Sequence, residues 1–227
     1  ALATLVDEAP PGAGWLFEVK FDGYRTLAAT AGDRVRLYTR NGLDWTHRYP
    51  SIAQALARMN LPRALLDGEI VVVDAEGRSD FGSLQAAVKG NAATLSYFVF
   101  DLLEQAGKNL RNISLLERKA RLKDLLGDAG RKGPVYYTDH VEQDGKKMLD
   151  HLCRAGFEGI IAKRSDATYR SGRGRSWLKI KCGREQEFLV VGTSPSTRGR
   201  PFSSLLLAVH EDGALRYAGR VGAGFSG

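Results

Sequence analysis

Cysteine is nearly absent from this sequence: only Cys153 and Cys182 occur. Two thiols so far apart exclude a zinc ribbon or a disulfide framework, and a reduced pair of small hydrophobes is expected rather than a disulfide. No apolar run approaches the roughly 18 residues of a membrane span. The stretch from Ala1 to Gly14 carries neither a basic start nor an apolar core, so no secretory signal is visible and the cytoplasm is the expected compartment. Internal repeats and low-complexity tracts are missing too. What remains is an ordinary folded composition, 43% hydrophobic over 227 residues, enough to bury one good core and part of a second.

Charge is present in excess and unevenly. Of a formal net charge of +7, the segment from Lys163 to Arg200 supplies all, with ten basic residues against three acidic ones, while the rest carries 23 of each sign. Such a stripe reads as a surface for a polyanion, against the alternative of a solvated basic face without a partner.

Hydrophobic periodicity predicts strands over Leu16–Phe21, Val35–Thr39, Leu65–Asp74, Leu95–Leu102, Val135–Thr138, Ile160–Lys163, Trp177–Lys181 and Phe188–Gly192. Helices are expected at Ser51–Met59, after Ser114, and after Asp144. Ser114 with Glu117 makes a capping box, Leu115, Leu122 and Leu126 recur at helical spacing, and Gly127 can end the helix. Strands alternating irregularly with about three helices predict an α+β fold with largely antiparallel sheets. After Gly183 the texture changes to short β-rich pieces, so domains are expected at 1–183 and 184–227, the second too short for a closed five-stranded barrel.

The run Glu18-Val19-Lys20-Phe21-Asp22-Gly23-Tyr24-Arg25 places one lysine where a period-2 strand breaks into Asp-Gly turn chemistry. A lysine with an ordinary pKa of about 10.4 is neutral in only about one molecule in a thousand near neutral pH, so a nucleophilic lysine needs neighbouring cations, a metal or burial. By itself the run also suits a surface salt bridge in a turn. Other polar groups interrupt strand ends further on: Thr39-Arg40-Asn41-Gly42, Asp67-Gly68-Glu69 inside an apolar run, Glu158-Gly159, and Trp177-Leu178-Lys179-Ile180-Lys181, whose alternation points both lysines the same way.

In this order the segments resemble the six motifs of the covalent nucleotidyltransferase superfamily, with Tyr97–Leu103 as motif IIIa and Glu158–Lys163 as motif IV. Gly42–Thr46, Phe81–Gln85 and Phe188–Gly192 bring the chain closest to ATP-dependent DNA ligases, and within them to the ligase module of bacterial LigD-type end-joining enzymes. The resemblance covers nearly the whole chain. It implies an antiparallel-sheet adenylation domain followed by an incomplete OB-fold barrel. The chain reaches Gly227 without a counterpart of the basic motif VI, which in the family orients pyrophosphate for the first step.

The resemblance also implies roles. Lys20 attacks the α-phosphate of ATP to give lysyl-AMP. Glu18, Val19, Arg25, Arg40, Glu69, Phe100, Ile161, Lys179 and Lys181 bind nucleotide, with Phe100 stacking on adenine and the two lysines holding the α-phosphate. Glu69 and Glu158 help to bind Mg²⁺ or Mn²⁺, and Lys163, Arg164, Arg170, Arg173 and Arg175 contact DNA. The implied partners are nicked or broken double-stranded DNA and other end-joining factors or fused nuclease or polymerase modules, with the chain a monomer. An RNA ligase or mRNA guanylyltransferase shares the same lysine, and a non-catalytic DNA-end clamp needs only the basic stripe.

Overall fold

The computed structural model describes residues 1–90, 94–183, 188–196, 202–211 and 213–222. It divides into two compact units, Ala1–Cys182 and Gly183–Gly227. The first unit is built on two sheets. One runs β1 (Leu2–Leu5), β10 (Arg173–Lys181), β9 (Gly159–Arg164), β2 (Trp15–Val19), antiparallel except where β1 lies parallel to β10. The larger runs β4 (Arg34–Thr39), β3 (Tyr24–Ala31), β5 (Ala64–Val72), β6 (Leu95–Gln105), β7 (Lys108–Asn109), with β8 (Val135–Tyr137) parallel to β6. The second unit holds an antiparallel sheet of β11 (Leu189–Ser194), β12 (Ser204–Glu211) and β13 (Ala214–Val221).

Among the described residues, four α-helices complete the first unit: α1 (Pro50–Met59), α2 (Phe81–Val88), α3 (Leu115–Leu126) and α4 (Gly145–Arg154). Pro50 opens α1 because the missing N–H costs nothing in a first turn. Ser114 caps α3 as expected, its hydroxyl accepting from the Glu117 amide at 3.2 Å. Asp144 does not cap α4 in that way; its side chain accepts from Lys147 instead. The short helix α2 was not legible from periodicity, yet it has a clear start, the Asp80 carboxylate accepting from the Ser83 amide at 3.0 Å.

Each sheet is backed by its own core. Ile52 and Leu56 of α1, Leu84 of α2 and Leu122 and Leu126 of α3 pack with Leu37, Leu66, Ile70, Tyr97 and Val99 of the large sheet. Leu152 of α4, with Met148 and Leu149, packs with Phe17, Ile160, Ala162, Leu178 and Ile180 of the small one. With helices occupying one face of each sheet, strands from both contribute the opposite faces to a shared cavity. Glycine permits the closest approaches around it. A Cβ on Gly23 would come within 2.3 Å of the Ile70 carbonyl, and one on Gly159, at φ +147°, within 2.0 Å of the Ile180 carbonyl.

The cysteines overturn the expectation of a reduced pair. Cys153, in the last turn of α4, and Cys182, just after β10, form a disulfide, because β10 pairs with β9 so that Lys181 lies opposite Gly159, a few residues past the end of α4, and their Cα atoms come to 5.1 Å. The loop it closes is worth roughly 3–4 kcal/mol of unfolded-chain entropy. Reduction, or Cys153→Ser, is therefore expected to lower the stability of the first unit by an amount of that order in urea titrations. Equal midpoints with and without reductant would contradict the bond.

Candidate active site

A cavity of about 150 Å³ opens between the sheets, lined among others by Glu18 and Val19 of β2, Arg25 of β3, Glu69 of β5, Phe100 of β6 and Trp177 of β10. Lys20, Ile161, Lys163 and Thr138 also line it. Strand register explains the gathering. Val19 faces Ile160, Lys179 faces Ile161 and Lys181 faces Gly159, while the Lys20 amide donates to the Gly159 carbonyl at 2.9 Å. Residues from three remote segments are thus placed side by side at one end of the small sheet.

At that end Lys20 donates to Oε2 of Glu158, and the Lys181 ammonium lies 3.4 Å from Oε1 of the same carboxylate. Glu158 therefore sits between two lysines. Lys179 is half-buried, and desolvation together with the nearby Lys181, Lys20 and Arg173 cations pulls its ammonium below the ordinary lysine range. A site crowded with cations is suited to an anionic phosphate, which would relieve their repulsion.

The deeper part is a buried ion network. Glu18, 2% exposed, accepts from Lys119 at 2.6 Å and from Lys163 at 2.5 Å. Burial alone would raise its carboxyl, but the two ammoniums overcome that and hold it below the usual carboxylate range. Lys163 sits between the aromatic walls, its ammonium 4.1 Å from the Phe100 ring centroid and 4.2 Å from that of Trp177. The expectation that Lys163 reaches DNA is corrected here: with 1% exposure it belongs to the cavity, because alternation along β9 turns it inward. Arg25 forks onto Asp67 at 3.0 and 2.6 Å, and Asp67, fully buried, also accepts from the Tyr169 hydroxyl at 3.0 Å.

Glu69 lies beside this pair, and burial, reinforced by Asp67 and opposed by Arg25, pushes its carboxyl up to about 7. A folded-state value raised from 4.5 means stability that is full below 4.5 and lost as pH rises through about 7. Glu69→Gln is accordingly expected to raise the melting temperature of the ligand-free protein at pH 8 and to leave it nearly unchanged at pH 5. The opposite ordering would exclude a proton-binding Glu69.

Other expected residues lie outside the cavity. Arg40 is exposed and lines a neighbouring cavity of about 530 Å³ that shares Arg25 and Glu69 with the first. Arg170 and Arg175 are exposed; Arg164 pairs with Asp166 at 2.7 Å and Arg173 donates to the Ala3 carbonyl at 2.8 Å. Arg184, Arg198 and Arg200 of the basic stripe lie outside the described residues. Among the described residues no three His, Cys, Asp or Glu side chains gather as a metal site. Sequence reasoning passed over Lys119, Trp177, Asp67 and Tyr169. Trp177, which shares a strand face with Lys179 and Lys181, and Asp67, set inside an apolar run, carried a signal; Lys119 hides within a leucine-spaced helix.

A lysine at the edge of a cavity walled by aromatic rings and a fixed carboxylate, with further cations beside it, is an arrangement suited to handling a nucleotide. The model of the ATP dependent DNA ligase domain matches residues 3–181, and the chain belongs to that family. It is 44% identical to the multifunctional non-homologous end joining protein LigD of Pseudomonas aeruginosa, over 99% of this chain and 27% of that protein. To the LigD of Mycobacterium tuberculosis it is 34% identical, over 93% of this chain and 28% of the relative. The chain therefore spans little more than a quarter of these relatives. Among solved structures, mycobacterial DNA ligase D complexed with ATP and MES superposes with a TM-score of 0.68 at 32% identity, covering 99% of this chain and 73% of that one.

Proposed function

We propose that the chain is the adenylation module of a bacterial end-joining DNA ligase. The observation that carries this reading is Lys20, held at the mouth of the cavity by Glu158 with Lys181 beside it. The neutral Lys20 amine forms a bond to the α-phosphorus of ATP as the bond to pyrophosphate breaks, leaving AMP on Lys20. The DNA 5′-phosphate then takes the AMP, and the adjacent 3′-hydroxyl displaces it, forming the phosphodiester and releasing AMP.

Each step moves negative charge onto the α-phosphate, and Lys179 and Lys181 stabilise it there. Glu158 stabilises the Lys20 ammonium in the resting site, so attack requires that pair to part. Phe100 offers a face to adenine, and Glu18, held ionised, accepts from its amino group. Arg25, Arg40 and Glu69 reach ribose and phosphates from the two adjoining cavities.

Glu69 and Glu158 are the carboxylates that would hold Mg²⁺ or Mn²⁺, with phosphate oxygens and water as further ligands, an arrangement Mg²⁺ commonly takes. Bound there, the cation would neutralise charge on the phosphates. The exposed Arg170, Arg173 and Arg175, with the half-buried Arg164, form the DNA-facing surface, and the fused modules of a longer protein supply the other end-joining activities. A cytoplasmic setting accords with this reading, and among the described residues no helix is long and apolar enough to cross a membrane. The second unit serves as part of an OB-fold.

The test is to give the full-length protein α-labelled ATP with Mg²⁺ or Mn²⁺, then nicked duplex DNA. Label is expected first on protein, surviving denaturation, then on the DNA 5′ end, then free as the nick closes. GTP and RNA ends run alongside should give less. A protein that takes label only from GTP, or none, would defeat the proposal.

A further inference from the structure

Helix α3 buries a lysine, next to the buried Arg118, among the leucines of its inward face. Lys119, fully buried, lies between Leu115 and Leu122. Its ammonium donates to Glu18 Oε1 at 2.6 Å and to the Thr138 carbonyl at 2.8 Å, and stands 4.8 Å from the centroid of the Tyr137 ring. A buried ammonium is costly to desolvate, and a helix that only needed to pack would carry Leu or Met there. Lys163 of β9 donates to the other oxygen, Oε2, so the carboxylate has one ammonium on each side.

That arrangement has a chemical consequence. A carboxylate paired in this way is ionised, hence a pure acceptor, and each oxygen keeps a further lone pair. Glu18 lines the cavity. Its orientation is fixed from two different elements. Presented to a purine, an ionised and oriented carboxylate accepts from the 6-amino group of adenine and repels the 6-carbonyl oxygen of guanine. A neutral carboxyl has an O–H to donate and would accept either base.

We infer that Lys119 is a positioning residue that sets purine choice, holding Glu18 so that the cavity takes a 6-aminopurine nucleotide over a 6-oxopurine one. Lys119 acts through Glu18 and does not touch the base. The inference rests on the reading of the cavity as a nucleotide site.

Equilibrium binding separates this role from a merely structural one. The full-length protein carrying Lys20→Ala, which cannot form the covalent adduct, is titrated with ATP, with GTP and with purine riboside triphosphate, which lacks the 6-amino group. With Lys119 present, ATP should bind roughly 10- to 100-fold more tightly than purine riboside triphosphate, the range for a hydrogen bond to a charged group. Lys119→Met should bring that ratio close to one and reduce discrimination against GTP by a similar factor. Lys119→Arg, which keeps the cation, should restore most of it. Glu18→Gln should lose the ratio as Lys119→Met does.

Equal weakening of ATP and purine riboside triphosphate by Lys119→Met, with the ratio intact, would overturn the inference and leave Lys119 a packing residue. If Lys119→Met does not fold, Lys119→Gln, which keeps a donor but no charge, carries the same comparison: a collapsed ratio supports the inference and an intact one overturns it. Failure of the parent protein to bind any of the three nucleotides would overturn the nucleotide reading itself, and the inference with it.

Discussion

Lys20→Ala is expected to abolish covalent nucleotide transfer, by a factor on the order of 10⁴ to 10⁶ as for other removed nucleophiles. Lys20→Arg should be as inactive. A guanidinium stays protonated throughout the accessible pH range, so it keeps the charge that pairs with Glu158 and loses the free amine. That pairing of variants separates charge from nucleophilicity. Folding should survive in both. The Lys20–Glu158 pair is partly exposed and Lys181 stays beside the carboxylate, so stability should change by about 1 kcal/mol or less. Joining of DNA that already carries a 5′-AMP should fall much less, since that step no longer needs the Lys20 nucleophile. Covalent label retained on the alanine variant would show that another residue carries the nucleotide.

Arg118→Met should produce the largest loss of stability of any single change in the first unit, about 3–5 kcal/mol. Arg118 and Asp101 are both fully buried and meet in a fork, with contacts of 2.7 and 3.0 Å. The Arg118 guanidinium also donates to the Ile113 carbonyl at 2.7 Å and to that of Ala167 at 3.1 Å. One side chain thus ties α3 to β6, next to Phe100, and to the segment after β9. Burial keeps the Asp101 carboxyl above its ordinary value even with Arg118 in place. Without the arginine that carboxyl must take up a proton or remain a bare buried charge. Denaturant titration at pH 7 measures the loss. The double variant Arg118→Met with Asp101→Leu should recover part of it, because replacing both partners removes the uncompensated charge. A single-variant loss below about 1 kcal/mol would mean the pair is dispensable.

Much of the site was legible along the chain because strand chemistry is local. Period-2 alternation placed Lys20 at the end of β2 and showed that Lys179 and Lys181 share a face. Apolar runs broken by Asp67-Gly68-Glu69 and preceded by Glu158-Gly159 marked strands that carry polar groups for a purpose other than packing, and the capping box at Ser114 fixed the start of α3. Less was visible where partners come from afar. Nothing near Cys153 announces Cys182, and α2 has too few turns for its periodicity to stand out. The inward turn of Lys163 could not be separated from the surface reading of a basic stripe until β9 was paired on both sides.

The sequence by itself determined the family, the lysine proposed as nucleophile and its neighbours in kind, since residue type and spacing along strands are set by local stereochemistry. Tertiary structure alone decided the electrostatics. Glu18 meets Lys119 across 101 positions and Lys163 across 145, and whether a carboxylate is ionised depends on which charges share its burial. That depends on how helices and sheets stack, which no local pattern records.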